Sequence, residues 1–330
     1  MKAELTYEHH KRHGTSLRDH MFVNFETLAK VGSATAPLSN WATKLPGSGI
    51  VAEKVLGISR ERDLPTFRRN TFAKRVANHR PTVSSREADR KVVLVPDVYT
   101  NHEYPEAGEA ALEVLEATGV HVEVAEPRDV GRPAYSKGML DEAAENANDT
   151  VHALLPYVED GYDVVLIEPS DAVMVQSDYL DLFDHEDVRT VVENTYGVCE
   201  YLDRFDLDRE IDFAAPNDYL AYHGHCHQKA HAKDHHAVGI LRRAGYAVDP
   251  LDSTCCGMAG SFGYEVEHYS MSKAIGEVLY GQVDESEGDR VVAPGASCRT
   301  QLEDRPGATE EPPTPIEVIA EALENGSDRR

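Results

Sequence analysis

Sulfur is scarce in this chain, with five cysteines among 330 residues. A small scaffold stapled by disulfides is excluded, so the few thiols must be explained by where they fall. Long apolar runs are missing too: none approaches the roughly eighteen residues that a membrane span needs. The opening MKAELTYEHHKRHG has no apolar core of the secretory kind, so a secretory signal is not expected. The cytoplasm is the expected compartment, with peripheral attachment at the inner face of the membrane as the second option. Clustered thiols in such a reducing compartment bind metal more often than they pair. A Ser-His-Asp order, a P-loop and a dinucleotide fingerprint are all lacking; Gly108 and Gly119 do not make one. No flavin site is therefore expected on this chain.

Lysine is also scarce, 11 residues against 22 arginines and 58 aspartates plus glutamates, for a net charge of −25. Phosphate backbones need a basic footprint, so nucleic acid is excluded as a partner. An acidic, lysine-poor surface suits a salt-rich cytoplasm, where screening removes self-repulsion. A halophilic source is the expectation, and an acidic docking surface the alternative. The charge is uneven: residues 1–90 hold 16 Lys or Arg against 9 Asp or Glu, and the remainder carries all the negative excess. Three parts follow: a basic helical region over 1–88 suited to partner docking, a first α/β repeat over 89–205, and a second over 206–330.

Both repeats run strand, helix, strand, helix, strand. In the first, KVVLVPDVYT (91–100) has the β-branched content of a buried strand. A helix over 104–119 starts near Pro105, turns Leu112 and Leu115 inward and stops at Gly119. VHVEV (120–124) and GYDVVLIEPSD (161–171) supply further strands, separated by the loop 128–138 and a helix whose apolar stripe ends at Val158. In the second, DYLAYHGHC is a strand ending at Cys226, HHAVGILRRAG a helix and YAVDPLD a strand. A helix with Met271, Ala274, Ile275, Val278 and Leu279 inward and the strand-loop DRVVAPGASC complete it. Such alternation predicts parallel strands flanked by helices, hence two tandem Rossmann-like α/β units after a helical N-terminal region. Helices over 188–202 and 314–326 should close the first and second units; the latter has Thr314 as N-cap, Glu317 completing a capping box and Gly326 as stop.

The repeats can be laid on one another. Val130 to Asp171 is 41 positions and Cys256 to Cys298 is 42; Asp97 to Asp129 is 32 and Cys226 to Cys255 is 29. Thiols of the second repeat thus face Asp97, Asp129, Val130 and Asp171 in the first. Asp129 with Asp171 suggests a hard-cation pair or, as preferred, a degenerate site.

Cys226, Cys255, Cys256 and Cys298 each fall where a strand gives way to a loop, and such loops are the usual place for sites. Spacing of this length is far too long for a zinc-finger knuckle. Four thiolates from three loops suit a soft or borderline metal, so iron–sulfur and zinc both stand. Gly257, Gly260 and Gly263 follow the vicinal pair, and glycine lets backbone N–H groups approach cluster sulfur. Cys199, on an apolar stripe, is expected to be a buried core thiol. His223, His225 and His227 alternate along the strand end, where surface histidines are the plain expectation and contact with the metal centre the sharper one.

The segments HGHCHQKA, CCGMAGSFGYE and PGASCRTQ resemble the cysteine-rich CCG domain of heterodisulfide-reductase-type iron–sulfur proteins. More closely they resemble the C-terminal portion of fused FAD-linked oxidase and iron–sulfur proteins, which act as D-2-hydroxyacid dehydrogenases of the D-lactate, glycolate and D-2-hydroxyglutarate kind. The glycerol-3-phosphate dehydrogenase iron–sulfur subunit is a more distant relative. The likeness extends through GRPAYSKGMLDEA and IEPS to MKAEL, KRHGTSLRD and SATAPLSNW near the start. It implies that Cys226, Cys255, Cys256 and Cys298 bind one [4Fe–4S]-type cluster, with Gly257 and Gly260 at the cofactor. It also implies FAD on a partner chain, a flavin- or ferredoxin-bearing subunit as donor, and a quinone or carrier protein as acceptor. Where the family often has CCGRP and EPSC, the first repeat has DVGRP and EPSD, which puts a second cluster in doubt. A zinc-binding scaffold and a heterodisulfide-reductase-like thiol enzyme are the alternatives.

Overall fold

The computed structural model describes residues 2–327, so Met1 of MKAEL lies outside the described residues. The first sheet is built from β1 (Lys91–Val95), β2 (His121–Val124), β3 (Tyr162–Leu166) and β4 (Thr195–Gly197), in the order β2-β1-β3-β4. The second contains β5 (Tyr219–Tyr222), β6 (Ala247–Pro250) and β7 (Arg290–Val292), in the order β6-β5-β7. Every pairing is parallel. Val92, Val93, Leu94 and Val95 are all buried, as befits a central strand covered on both faces. The expected α/β class, with two parallel sheets flanked by helices and an N-terminal helical region, is the observed one.

Three local expectations need correction. Residues 188–202 do not form one helix. They form the helix Glu186–Glu193, then β4, then the helix Val198–Arg204. Thr195 and Tyr196 are strand formers, and β3 offers a free edge on which Thr195 pairs with Val164 and Gly197 with Leu166. The helix Tyr269–Glu285 turns Ser272, Gly276, Leu279, Tyr280 and Val283 inward, while Met271 and Val278 are exposed. Close approach rather than apolarity selects that face: a Cβ on Gly276 would stand 1.9 Å from Gln301 Nε2. Cys226 and Cys298 lie on the first turns of the helices Cys226–Ala230 and Ala296–Glu303, beyond the strand ends.

The closing helices bridge the two units. Thr314 and Glu317 form the expected capping box, but the helix Pro315–Ser327 runs through Gly326. It packs on the helix Pro105–Ala117 of the first unit, and Val198–Arg204 packs on His235–Arg243 of the second. One apolar core consequently contains Leu94 and Leu115 together with Leu220, Ile240, Val292 and Ile319. Each such side chain contributes about 1.5–3 kcal/mol on burial, so the bridging helices tie the two units into one body.

The N-terminal region clasps this body at the segment that follows the vicinal cysteines. Ile58 pairs antiparallel with Glu265, and Ser59 N–H donates to Tyr264 O at 2.7 Å. The Arg62 side chain is almost fully buried. It donates to Gly263 O at 3.1 Å, Ser272 Oγ at 3.0 Å and Gln301 Oε1 at 2.6 Å, and pairs with Asp304. Glu265 is a second knot, reached by Arg18 from the N-terminal region and Lys137 from the first unit. Arg75 pairs with Glu106 and Glu109. Much of the N-terminal basic charge is therefore engaged on the chain itself, whereas Leu38, Trp41, Leu45, Val51 and Val55 are exposed.

Candidate metal centre

The strand ends of the second sheet deliver the four cysteines to one place. Cys256 and Cys298 lie within 4.8 Å of each other and of a His223 ring nitrogen. Cys255 neighbours Cys226 and Cys256 in turn, but among the described residues no three of the cysteine sulfurs belong to a group that lies within 4.8 Å of one another. All four are free thiols, the vicinal pair included. Cys256 and Cys298 are buried at 3% and 1% exposure. Cys226 and Cys255 are half-buried and line an open cleft of about 600 Å³ with Lys229, Asp234, Asp252 and Ser253. The centre thus has a dry side and a side open to solvent.

The thiols share protons in alternation. Contact with Cys226, then with Cys256, draws the Cys255 thiol down to about 2. Contact with Cys256 holds Cys298 well below the ordinary thiol value, with His223 adding to the effect. Their partners move the other way: Cys226 is raised first by Cys255 and then by burial, and Cys256 by Cys255 and then Cys298. Thiols that shift one another's acidity in this way are a ligand set from which a bound cation would displace protons.

Gly257 does what its position suggests. Its N–H donates to Cys255 Sγ at 3.3 Å, its φ is +92°, and a Cβ at this position would lie only 2.4 Å from Ser272 O. Gly260 also has positive φ, +65°, but nothing lies within 4 Å of its Cβ position. It shapes the turn and makes no contact with the thiols through that position.

His223 and His225 are buried at 0% and 5% exposure, contrary to the expectation of surface histidines. His223 bonds Ser253 Oγ through Nδ1 at 2.5 Å. A ring nitrogen of His223 and the sulfurs of Cys256 and Cys298 all lie within 4.8 Å of one another. His225 caps the Cys226 helix, its Nδ1 accepting from His227 N at 3.3 Å. Cys199 lies in the shared core, where burial pushes its thiol up to about 12.

The first repeat holds the same construction in oxygen. Asp97 caps the helix Val98–His102 after β1, accepting from Thr100 N at 2.9 Å. Gly131, also at φ +92°, donates its N–H to Asp129 Oδ1 at 2.8 Å, matching Gly257 and Cys255. Asp171 occupies the third position of the helix Pro169–Val173, as Cys298 does in its own helix. Burial raises Asp129 to about 6 and Asp171 well above the ordinary range. Among the described residues, these aspartates are not among the groups whose ligand atoms lie within 4.8 Å of one another. The carboxyls do not form a cation cage.

Two contributors were not visible in the sequence. Glu168, in the IEPS motif of the first repeat, accepts from Ala296 N at 3.0 Å and so fixes the start of the helix carrying Cys298. Burial, then Asp97, raises it to about 7. Arg62 binds the segment after the vicinal pair to that same helix; a lone arginine in a loop gives no pattern to read.

Comparison with known proteins agrees with this geometry. The cysteine-rich domain family CCG matches residues 220–303, which include all four clustered cysteines. A subunit of the anaerobic glycerol-3-phosphate dehydrogenase of Escherichia coli K12 is 27% identical over 316 residues, covering 93% of this chain and 78% of that protein. D-2-hydroxyglutarate dehydrogenase of the same organism is 22% identical over 308 residues, 89% of this chain but 29% of that protein. Lactate utilization protein A of Bacillus pumilus is 23% identical over 232 residues, 66% of this chain and 92% of that protein. The glycerol-3-phosphate dehydrogenase relative is nearer than the sequence motifs ranked it. Residues 220–303 thus match the cysteine-rich CCG domain, and the chain that carries them is similar to the anaerobic glycerol-3-phosphate dehydrogenase subunit and to D-2-hydroxyglutarate dehydrogenase.

Proposed function

We propose that this chain is an iron–sulfur electron-transfer module of an FAD-linked dehydrogenase, with Cys226, Cys255, Cys256 and Cys298 holding one [4Fe–4S]-type cluster. The observation that supports the reading is the gathering of free thiols at one end of the second sheet: Cys256 beside Cys298, Cys226 and Cys255 on one cleft, and the Gly257 N–H on Cys255 Sγ. The chain supplies thiolate ligands, a backbone donor to sulfur, and a wall that keeps water from Cys256 and Cys298. A bound cluster would accept and release electrons one at a time. The cleft beside Cys226 and Cys255 brings the centre near the surface, where a donor or acceptor can approach.

The names of the relatives point to glycerol 3-phosphate or a 2-hydroxyacid as the fuel, oxidised at a flavin on a partner subunit. The region 1–88 is the proposed partner-docking part, 89–205 a repeat that has lost its thiols, and 206–330 the cluster-binding repeat. Among the described residues no helix is long and apolar enough to cross a membrane. The proposed place of action is the cytoplasmic side, free or docked peripherally.

Zinc is the second reading, favoured by the mutual closeness of His223, Cys256 and Cys298. Anaerobic purification with iron, sulfide and zinc counts separates the two. The proposal expects a brown protein with about four iron and four sulfide per chain, bleached by dithionite, and loss of most iron in Cys256→Ser. A colourless protein with stoichiometric zinc overturns it.

A further inference from the structure

The His223 side chain is fully buried, yet its Nε2 has no hydrogen-bond partner. An orphaned donor or acceptor in such a place costs about 1–3 kcal/mol, which calls for a partner among the groups around it. The ring is not free to turn away. Its backbone N–H donates to Val292 O at 2.9 Å, extending the β5–β7 pairing by one residue. Nδ1 is held by Ser253 Oγ at 2.5 Å, and Ser253 is itself fixed because Lys229 Nζ donates to its carbonyl. With Nδ1 so engaged, Nε2 is the nitrogen left for the sulfurs of Cys256 and Cys298, which share a 4.8 Å neighbourhood with the ring.

Ser253 Oγ faces Nδ1, and a hydroxyl that donates its proton there leaves the ring proton on Nε2; this is the tautomer the proposal assigns. Four cysteines already make a complete thiolate set for one cluster, so the ring is needed as a donor and not as a ligand. We propose that His223 donates its Nε2–H to cysteine sulfur at the metal centre, Cys298 foremost, and thereby raises the reduction potential of the cluster held there. The proposal rests on the iron–sulfur reading. A positively polarised N–H beside thiolate sulfur favours the more negative, reduced form, and removing it makes reduction harder. His223 is a positioning and tuning residue that acts through the thiolate.

The test compares anaerobically purified wild type with His223→Phe, Ser253→Ala and His223→Gln, which retains a side-chain N–H. Iron and sulfide are counted, the midpoint potential is measured by redox titration, and proton couplings at the paramagnetic centre are read before and after transfer to D₂O. The expected result is wild-type iron content in all four proteins and a more negative potential in His223→Phe. Ser253→Ala should shift the same way by less, and His223→Gln should recover part of the shift. An exchangeable proton coupling should be present in wild type and gone in His223→Phe. Unchanged potentials in both His223→Phe and Ser253→Ala, at full iron content, overturn the proposal. So does a strong nitrogen coupling in wild type together with iron loss in His223→Phe, which would make the ring a ligand. If His223→Phe fails to fold, Ser253→Ala decides alone by the same potential criterion. A wild type devoid of iron overturns the iron–sulfur reading instead, a distinct outcome.

Discussion

Alanine at Gly257 should cost far more than alanine at Gly260, although both glycines have positive φ and stand three residues apart. At either site an L residue in the left-handed region costs about 1–2 kcal/mol. Gly260 meets nothing further, because its Cβ position is open. At Gly257 the added carbon would lie 2.4 Å from Ser272 O, 3.1 Å from Ile275 Cβ and 3.2 Å from Gly276 N. Two of these are backbone atoms of a helix that Arg62 and Gln301 hold in place, so the loop must move instead. Overpacking of that kind adds about 1–3 kcal/mol, giving roughly 2–5 kcal/mol at Gly257 against 1–2 at Gly260. Moving the loop also breaks the N–H bond to Cys255 Sγ, so iron content should fall with stability. Gly131→Ala is the control: its Cβ position lies 2.8 Å from Ala143 O at the same φ, in the repeat without thiols. It should destabilise the fold while leaving the iron-to-protein ratio of the folded fraction intact. Urea denaturation read alongside iron counts on the three variants decides. Equal loss of stability at Gly257 and Gly260, or iron loss in Gly131→Ala matching that in Gly257→Ala, would refute the reasoning.

Other expectations follow from the same geometry. Thiol ligands bind metal deprotonated, so metal uptake should release protons and weaken as pH falls; calorimetry in buffers of different ionisation enthalpy measures the release, and uptake without proton release would refute thiolate ligation. Cys199→Ala should leave the metal count unchanged and lower stability by about 1 kcal/mol for the small cavity, since that thiol lies in the apolar core. Glu168→Ala should loosen the start of the Cys298 helix and accelerate iron loss to a chelator, whereas Glu168→Gln, which retains an acceptor for Ala296 N, should largely preserve it. With a net charge of −25, thermal stability should rise with added potassium chloride; a flat response between low and molar salt would remove the case for a halophilic source.

The parallel sheets were legible because β1, β3 and β5 carry buried β-branched or aliphatic runs bounded by turn residues. The cysteine cluster was legible because each thiol sits just beyond a strand end of one unit, and topology then gathers them. What periodicity missed is instructive. Thr195 fits the helical stripe that runs from Val188 to Leu202, yet the open edge of β3 made a strand there, a tertiary choice that no local pattern contains. The inward face of the helix Tyr269–Glu285 was misread because Ser272 and Gly276, not Met271 and Val278, permit the close approach to Gln301. That the closing helices bridge both units left no trace in sequence, since an amphipathic helix does not say which neighbours it will cover. Ser253, Glu168 and Arg62 act through single long-range bonds, and each looks like an ordinary polar residue of a loop.

The first repeat carries carboxyls at the positions where the second carries thiols. Its Asp129 keeps the hydrogen bond that Cys255 has, but burial holds the carboxyl up at about 6 against the ordinary 3.8. A folded-state pKa above the unfolded value means that the group favours folding most when both states are protonated, below about pH 4. That contribution is lost as pH rises from there through 6, and above 6 the penalty is full, on the order of 2–3 kcal/mol. Asp129→Asn keeps an acceptor for Gly131 N and cannot ionise. It should therefore be close to neutral near pH 4 and stabilising near pH 8, with Asp171→Asn moving the same way because burial raises that carboxyl as well. Chemical denaturation at the two pH values measures the difference. A variant equally stable relative to wild type at both would mean that Asp129, half-buried at the strand end, ionises freely in the fold.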